Sequence, residues 1–190
     1  VEEDYIFEGE GGSTNLTDLF ADKSQLIIQH FMFGTDWEEG CPSCSFMADS
    51  HNGNEKHMNA RDINMVAISN GPLDKIQNYR KRMSWTFNWY SSMGTSFNYD
   101  FNVSFTEEDH EDGSGVYNYA PLKASMKELP GVSCFYKDEN GAIYHTYSTF
   151  GRGLDALIGA YQYIDLTAIG RDEDKFDFPM AWIRRHDKYE

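Results

Sequence analysis

The chain has little cysteine, little positive charge and no long apolar run, and each shortage narrows what it can be. Its 190 residues include three cysteines. An odd count that small argues against the paired framework of a secreted disulfide scaffold. Basic residues number 16 against 31 acidic ones, for a formal charge of −15. A field of that sign repels phosphate backbones and anionic lipid, so nucleic-acid and membrane partners are not expected. No stretch reaches the roughly 18 apolar residues of a membrane span. No secretory signal is visible, so a reducing cytoplasm is the expected location. The first residue is Val1 rather than methionine, which leaves room for an upstream segment.

What is present suits one folded domain. Hydrophobic residues make up 40% of the chain and aromatics 15%, a globular composition at a length that is marginal for two cores. The acidic residues gather at Glu2-Glu3-Asp4, Glu107 to Asp112 and Asp172-Glu173-Asp174, which read as solvated surface. No internal repeat and no domain linker interrupts the chain, and residues 165–190 read as a polar C-terminal extension.

The two paired cysteines carry the chemistry. Eight residues after the apolar run Leu26 to Phe33 comes Cys41-Pro42-Ser43-Cys44, followed by a helical pattern. A helix N-terminus leaves backbone N–H groups unpaired and carries about half a positive charge, which favours a thiolate at Cys41. Pro42 suits the first helical turn, where its missing N–H costs nothing. The i, i+3 spacing brings Cys44 close enough to resolve a mixed disulfide, with Cys41 as nucleophile. Glu38 and Glu39 oppose this: aimed at the sulfur they raise its pKa, and turned to solvent they matter little.

Around this motif the pattern predicts a short strand at Tyr5-Ile6-Phe7, a helical stretch over Leu16 to Phe20, and buried strands at Leu26 to Phe33 and Met65 to Ile68. A helix beginning at Asn70-Gly71-Pro72 presents Leu73, Ile76, Arg80 and Met83 on one face. Alternation of Trp85, Phe87 and Trp89, then of Phe97, Tyr99, Phe101 and Val103, predicts two extended segments joined around Gly94. Thr106 to Asp109 reads as a capped turn. Val132 to Tyr136 and Ala142 to Tyr147 form a hairpin through Asn140-Gly141. Leu154, Leu157, Ile158 and Tyr161 stripe a last helix. Strand–helix, strand–helix, hairpin and closing helix, with the dithiol after the central strand, is the order of an α/β thioredoxin-like fold: a central mixed sheet flanked by helices.

Longer blocks go further. His30-Phe31-Met32-Phe33-Gly34, Asp36 through Phe46, Asn59-Ala60-Arg61-Asp62, Leu129-Pro130-Gly131, His145-Thr146-Tyr147-Ser148-Thr149, Pro179-Met180-Ala181-Trp182 and Arg184-Arg185-His186-Asp187 resemble a bacterial thioredoxin-like family, DUF899, described as predicted dithiol–disulfide oxidoreductases. The likeness spans nearly the whole chain. It implies a thioredoxin-like fold and a redox-active pair at Cys41 and Cys44, and it supplies no substrate. Sequences of this kind often carry a further N-terminal helical segment, consistent with Val1 being an internal start.

The expected activity is thiol–disulfide exchange with a protein or small-molecule disulfide or thiol, needing no cofactor and no metal. A Cys-x-x-Cys is also half of a zinc site, to be completed from Cys134, His51, His57, His145 or His186. Four residues are candidates for supporting roles. Pro42 is the helix-start proline, Trp37 covers the thiols from the connecting loop, His30 accepts a proton from Cys44, and Pro130 faces the dithiol as the cis-proline of thioredoxin folds does. His30 and Trp37 read equally as packing residues, and Pro130 as an ordinary strand-start proline. The aromatics from Trp85 to Tyr99 line a groove or fill the core, with the core expected, and Cys134 is expected to be buried and inert. His186-Asp187 reaches the site only if the tail folds back. Two other functions stay open: a peroxiredoxin-like thiol peroxidase using Cys41, and a redox-gated binding protein. Against the first, the Pro-x-x-x-Thr/Ser-x-x-Cys pattern of peroxidatic sites has Gly34 and Glu38 in its proline and hydroxyl positions. Exposed sheet edges in such a fold leave a homodimer open.

Overall fold

A computed structural model describes all residues, Val1–Glu190. Its frame is one seven-stranded mixed sheet. The strands are β1 (Ile6–Gly9), β2 (Gly12–Asn15), β3 (Gln25–His30), β4 (Ile63–Ser69) and β5 (Asn88–Ser91). A separate small ribbon, β6 (Val116–Tyr117) with β7 (Ala120–Pro121), precedes the hairpin β8 (Gly131–Lys137) and β9 (Ile143–Phe150). The order across the sheet is β2-β1-β5-β4-β3-β8-β9. Strands β3, β4 and β5 run parallel, and β8 pairs antiparallel with β3. The helices are α1 (Pro42–His51), α2 (Glu55–Asn59), α3 (Leu73–Arg82), α4 (Phe97–Asp100), α5 (Glu107–Glu111) and α6 (Gly159–Ile164).

Strand β3 sorts the core into two faces, because side chains alternate across a sheet. Leu26 and Ile28 face a cluster with Phe7, Phe20, Phe97 and Phe135. On the other face, Phe31, just past the strand, packs with Ala48 of α1, Ile76 and Tyr79 of α3, and Trp85 and Trp89. Ile27 shares that side with Met47, Leu154, Ile158, Tyr161 and Ile183. Helix α1, with the dithiol at its start, therefore covers the Ile27–Gln29–Phe31 side.

Several expected elements take another form. The run from Phe97 to Val103 holds helix α4 rather than a strand. Phe97 and Phe101 are spaced i, i+4 as well as by even numbers, so so short a run fits either period. Both rings enter the core, against Tyr5 and each other. Residues 12–15 form an edge strand, and of the expected helical stretch Leu16 to Phe20 only Asp18–Phe20 becomes helical, as a 3-10 turn. The last helix is split into a 3-10 segment, Gly151–Leu157, and α6. Thr106 does cap α5, in a reciprocal capping box with Asp109.

The tail does not trail away. Ile183 is buried, Trp182 packs edge-on against Phe46 of α1, and Glu173 accepts hydrogen bonds from Trp182 Nε1 (2.7 Å) and the Tyr161 hydroxyl (2.6 Å). Apolar residues at Met180, Trp182 and Ile183 dock the C-terminal segment on α1 and α6.

Candidate active site

Cys41 is the N-cap residue of α1 and Pro42 its first helical residue. Both cysteines are held by one residue, Met32, of the connection that follows β3. The Met32 carbonyl accepts the Cys41 N–H at 3.2 Å, and the Met32 N–H points at Cys44 Sγ at 3.5 Å. Cys41 is partly exposed, whereas Cys44 is 2% exposed. The two thiols thus differ in their access to solvent.

The ionisation of the pair is split accordingly. Cys41 is lowered to about 7, chiefly by a hydrogen bond from the Cys44 thiol, and further by the N–H groups of Cys44 and Ser43 and the Arg185 charge, against the opposing effect of burial. Cys44 is pushed well up, first by burial and then by its bond to Cys41. A thiolate on Cys41 and a thiol on Cys44 is the stable arrangement near neutrality.

Next to Cys41 stands a group that the sequence pattern did not single out. Arg185, from the docked tail, donates through Nε and Nη2 to the Gly40 carbonyl at 3.1 and 2.8 Å. Its Nη1 pairs with Glu39 at 2.9 Å. Arg82 binds Glu39 as well, and holds Asp187 at 2.6 Å. Glu39 is thus neutralised by two guanidinium groups, and Glu38, on Lys75 at 2.6 Å, is 80% exposed. Glu38 is thus turned to solvent, and Glu39 holds the Arg185 cation that favours the Cys41 thiolate. The tail does fold back: His186 Nδ1 bonds Asp49 of α1 at 2.7 Å, where Trp85 Nε1 also donates.

Ser45 Oγ donates to the Cys41 carbonyl at 2.8 Å and accepts from the Tyr79 hydroxyl at 2.9 Å, tying the first turn of α1 to α3. Gln29 Nε2 donates to the Cys44 carbonyl at 3.1 Å, and its Oε1 accepts from His51 Nε2 at 2.6 Å. Gly40 lies so close to Phe31 and Tyr79 that an added Cβ would meet their ring carbons at 2.6 and 2.7 Å.

The supporting candidates divide. Pro130 lines a small cleft together with Ser43 and Cys44, but its peptide bond is trans, since the chain has no cis bond. Trp37 lies over Gly34 and packs, beside Cys41, against the Phe31–Trp89 cluster. His30 is separated from the thiols. It faces the α4 side, 1% exposed, with Nε2 on Ser133 Oγ at 2.7 Å and its ring stacked on Phe101. Burial lowers its pKa to about 3. One residue of strand parity puts Gln29, not His30, on the dithiol side. Trp85, Phe87 and Trp89 are buried in the core. Cys134 is partly exposed rather than sealed. None of the five extra ligand candidates joins the dithiol in a cluster of three or more metal-binding side chains.

A second unforeseen group is Glu128, two residues before Pro130. It is 7% exposed and meets only neutral donors, Ser104 Oγ at 2.8 Å and Asn70 Nδ2 at 3.3 Å. Burial raises its pKa to about 7, and its charge acts on Cys44. A lone Glu among polar residues gives no sequence signal; only the fold, which closes Asn70, Ser104 and Glu128 together from distant segments, reveals it.

Comparison with known families decides the grouping. Residues 1–189 match the family described as "Bacterial protein of unknown function (DUF899)". The chain belongs to the DUF899 family. Among solved structures, this DUF899 protein is similar to peroxidoxin BcpB of Mycobacterium tuberculosis, at a TM-score of 0.55 and 12% identity over 85% of this chain and 94% of that one. A mutant of peroxiredoxin Q from Xanthomonas campestris gives 0.52 and 13%, over 83% and 90%. A mutant of PrxQ from Xylella fastidiosa gives 0.51 and 10%, over 84% and 89%. Identities this low establish the fold, which is thioredoxin-like. No curated protein matches in sequence.

Proposed function

We propose that this DUF899 protein is a thiol–disulfide oxidoreductase working through Cys41 and Cys44. The observation that carries the reading is the placement of the pair, with partly exposed Cys41 at the N-cap of α1 and buried Cys44 one turn in. The Cys41 thiolate attacks one sulfur of a substrate disulfide, forming a mixed disulfide and expelling the other sulfur as a thiolate. Cys44 then loses its proton and attacks Cys41 Sγ. The remaining substrate sulfur leaves as a thiolate, and Cys41–Cys44 becomes the disulfide. A thiol or dithiol reductant closes the cycle. With a dithiol substrate and an oxidised pair, the same steps run in reverse. Glu128 is assigned the tuning of the Cys44 proton, and Arg185 that of the Cys41 thiolate. The test is trapping: Cys44→Ser protein should accumulate a mixed disulfide on Cys41 that Cys41→Ser protein does not form. Equal labelling of both variants would contradict the assignment.

A second reading draws on Arg185. A cation and two N–H groups beside a thiolate suit a peroxide oxygen as well as a sulfur, and the compared folds are those of proteins named as peroxiredoxins. Here Cys41 takes the distal oxygen of a peroxide and becomes a sulfenic acid, releasing water or alcohol. Cys44 condenses with it, releasing a second water. Position 38, where a peroxidatic hydroxyl would stand, is an exposed glutamate paired with Lys75. Peroxide consumption that needs Cys41 and exceeds the rate of a free thiol would select this reading; consumption at the free-thiol rate would remove it.

A further inference from the structure

A polar side chain of the central strand reaches into its contact with the helix that carries the dithiol. Gln29 is fully buried, and its backbone belongs to the ladders with β4 and β8. Strand parity places it between Ile27 and Phe31 on the α1 side. There Phe31 packs in one cluster with Cys44 and Ala48 of α1, and Ile27 packs against Met47. A buried amide is costly unless its donor and acceptor are both bonded, and Gln29 has both bonds. Its Nε2 donates to the Cys44 carbonyl at 3.1 Å, and its Oε1 accepts from His51 Nε2 at 2.6 Å. A carbonyl only accepts, so the Cys44 bond fixes which way the amide points and places a proton on His51 Nε2.

Cys44 and His51 stand about two turns apart on α1. The Cys44 carbonyl points toward the end of the helix and the His51 side chain leans back toward its start, so one amide reaches both. The chain just beyond β3 also holds the sulfur, through the Met32 N–H at 3.5 Å from Cys44 Sγ. Cys44 is therefore gripped at its carbonyl by Gln29 and at its thiol by Met32. Contacts of Met47 and Ala48 cannot do the same. Apolar contact is non-directional and lets a helix slide or roll on a sheet, whereas a buried polar bond is satisfied in one register. Register counts here because a disulfide is geometrically strict, with Cβ atoms about 3.5–4.5 Å apart and a dihedral near 90° of either sign.

We propose that Gln29 is a positioning residue for the resolving thiol: its bond to the Cys44 carbonyl sets the depth of α1 on β3, and with it the approach of Cys44 Sγ to Cys41 Sγ. The assignment rests on the thiol–disulfide reading of the pair and concerns its second step alone. In that step the Cys44 thiolate, its proton lost to solvent, bonds Cys41 Sγ. The bond from Cys41 to the substrate sulfur breaks, and that sulfur leaves as a thiolate.

The test is stopped-flow reaction of reduced Cys134→Ser protein with dithiobis-nitrobenzoate, an aryl disulfide that releases a coloured thiolate at each step. The first equivalent reports attack by Cys41 and depends on reagent concentration. The second reports closure by Cys44, is first-order, and is absent from Cys44→Ser protein. In the same background, Gln29→Leu/His51→Phe replaces both bonded partners by apolar groups, a change that can leave stability near that of the parent. Its first phase should be unchanged and its second slower by roughly tenfold. His51→Phe alone keeps the amide on the Cys44 carbonyl but leaves Gln29 Oε1 without a donor. It should be less stable in urea than the double variant and yet close its disulfide faster. A double variant that closes at the parent rate, or closure rates that follow stability across the three proteins, would overturn the assignment while leaving the redox reading in place. A parent that releases a single equivalent would overturn the redox reading itself, and the assignment with it.

Discussion

At Cys41 the chemistry reduces to one ionisation, lowered to about 7 by the Cys44 thiol, the first N–H groups of α1 and Arg185. Its alkylation rate should rise with pH around a midpoint near 7, because only the thiolate reacts. Arg185→Gln should move that midpoint upward and slow alkylation at neutral pH by roughly threefold; iodoacetamide kinetics in Cys134→Ser protein, which keeps both Cys41 and Cys44, would measure both. Glu128 has the opposite sign. Its folded-state pKa of about 7 is above the ordinary carboxylate value, so the native state keeps a proton that the unfolded chain has released. Stability should therefore fall as pH rises from about 4.5 to 7, by about 3 kcal/mol, and level off above. Glu128→Gln should flatten that profile in urea titrations. It should also speed disulfide formation by Cys44 above pH 7, because the carboxylate charge that holds the Cys44 proton is gone, while leaving the Cys41 alkylation midpoint in place, a split that a purely structural role would not produce.

At the scale of elements, the start of α1 is fixed from three directions: the backbone of Met32, the Ser45–Tyr79 bond to α3, and the tail through Arg185. Gly40 is where these approach most closely. Gly40→Ala should destabilise the fold by about 1–3 kcal/mol, because the new methyl meets the Phe31 and Tyr79 rings. It should also raise the Cys41 midpoint as the cap shifts; thermal unfolding and alkylation would read the two effects. The placement of Cys41 and Cys44 at the start of α1 was legible in the sequence because strand, proline and i, i+3 spacing are local signals. Their neighbours were not. Arg185 lies 144 positions from Cys41, and nothing in its surroundings tells a clamp from a surface charge. His30 was misplaced by one residue of parity, since β3 is apolar on both faces and its period gives no orientation. Phe97 to Val103 failed for the complementary reason, a pattern short enough to fit two periods.

Across the whole molecule, the charge of −15 is spread over the surface, while the sheet and both its faces are apolar. Composition and motif order sufficed for the α/β thioredoxin-like architecture. They missed the edge strand β2 and the docking of residues 165–190, whose sparse apolar positions, Met180, Trp182 and Ile183, form no periodic pattern. The acidic field should favour cationic substrates: cystamine should be reduced faster than oxidised glutathione at low salt, with the ratio shrinking as ionic strength rises. Stopped-flow rates at two salt concentrations would check it. The central claim, that Cys41 and Cys44 form a working redox pair, is tested most directly by titrating the protein in glutathione buffers and counting free thiols by mass at each potential. The account predicts a reversible two-thiol transition, lost in Cys41→Ser and in Cys44→Ser, with Cys134 free throughout. A midpoint near about −270 mV would mark a reductant, and one near about −120 mV an oxidant. Three thiols free at every potential would contradict the account.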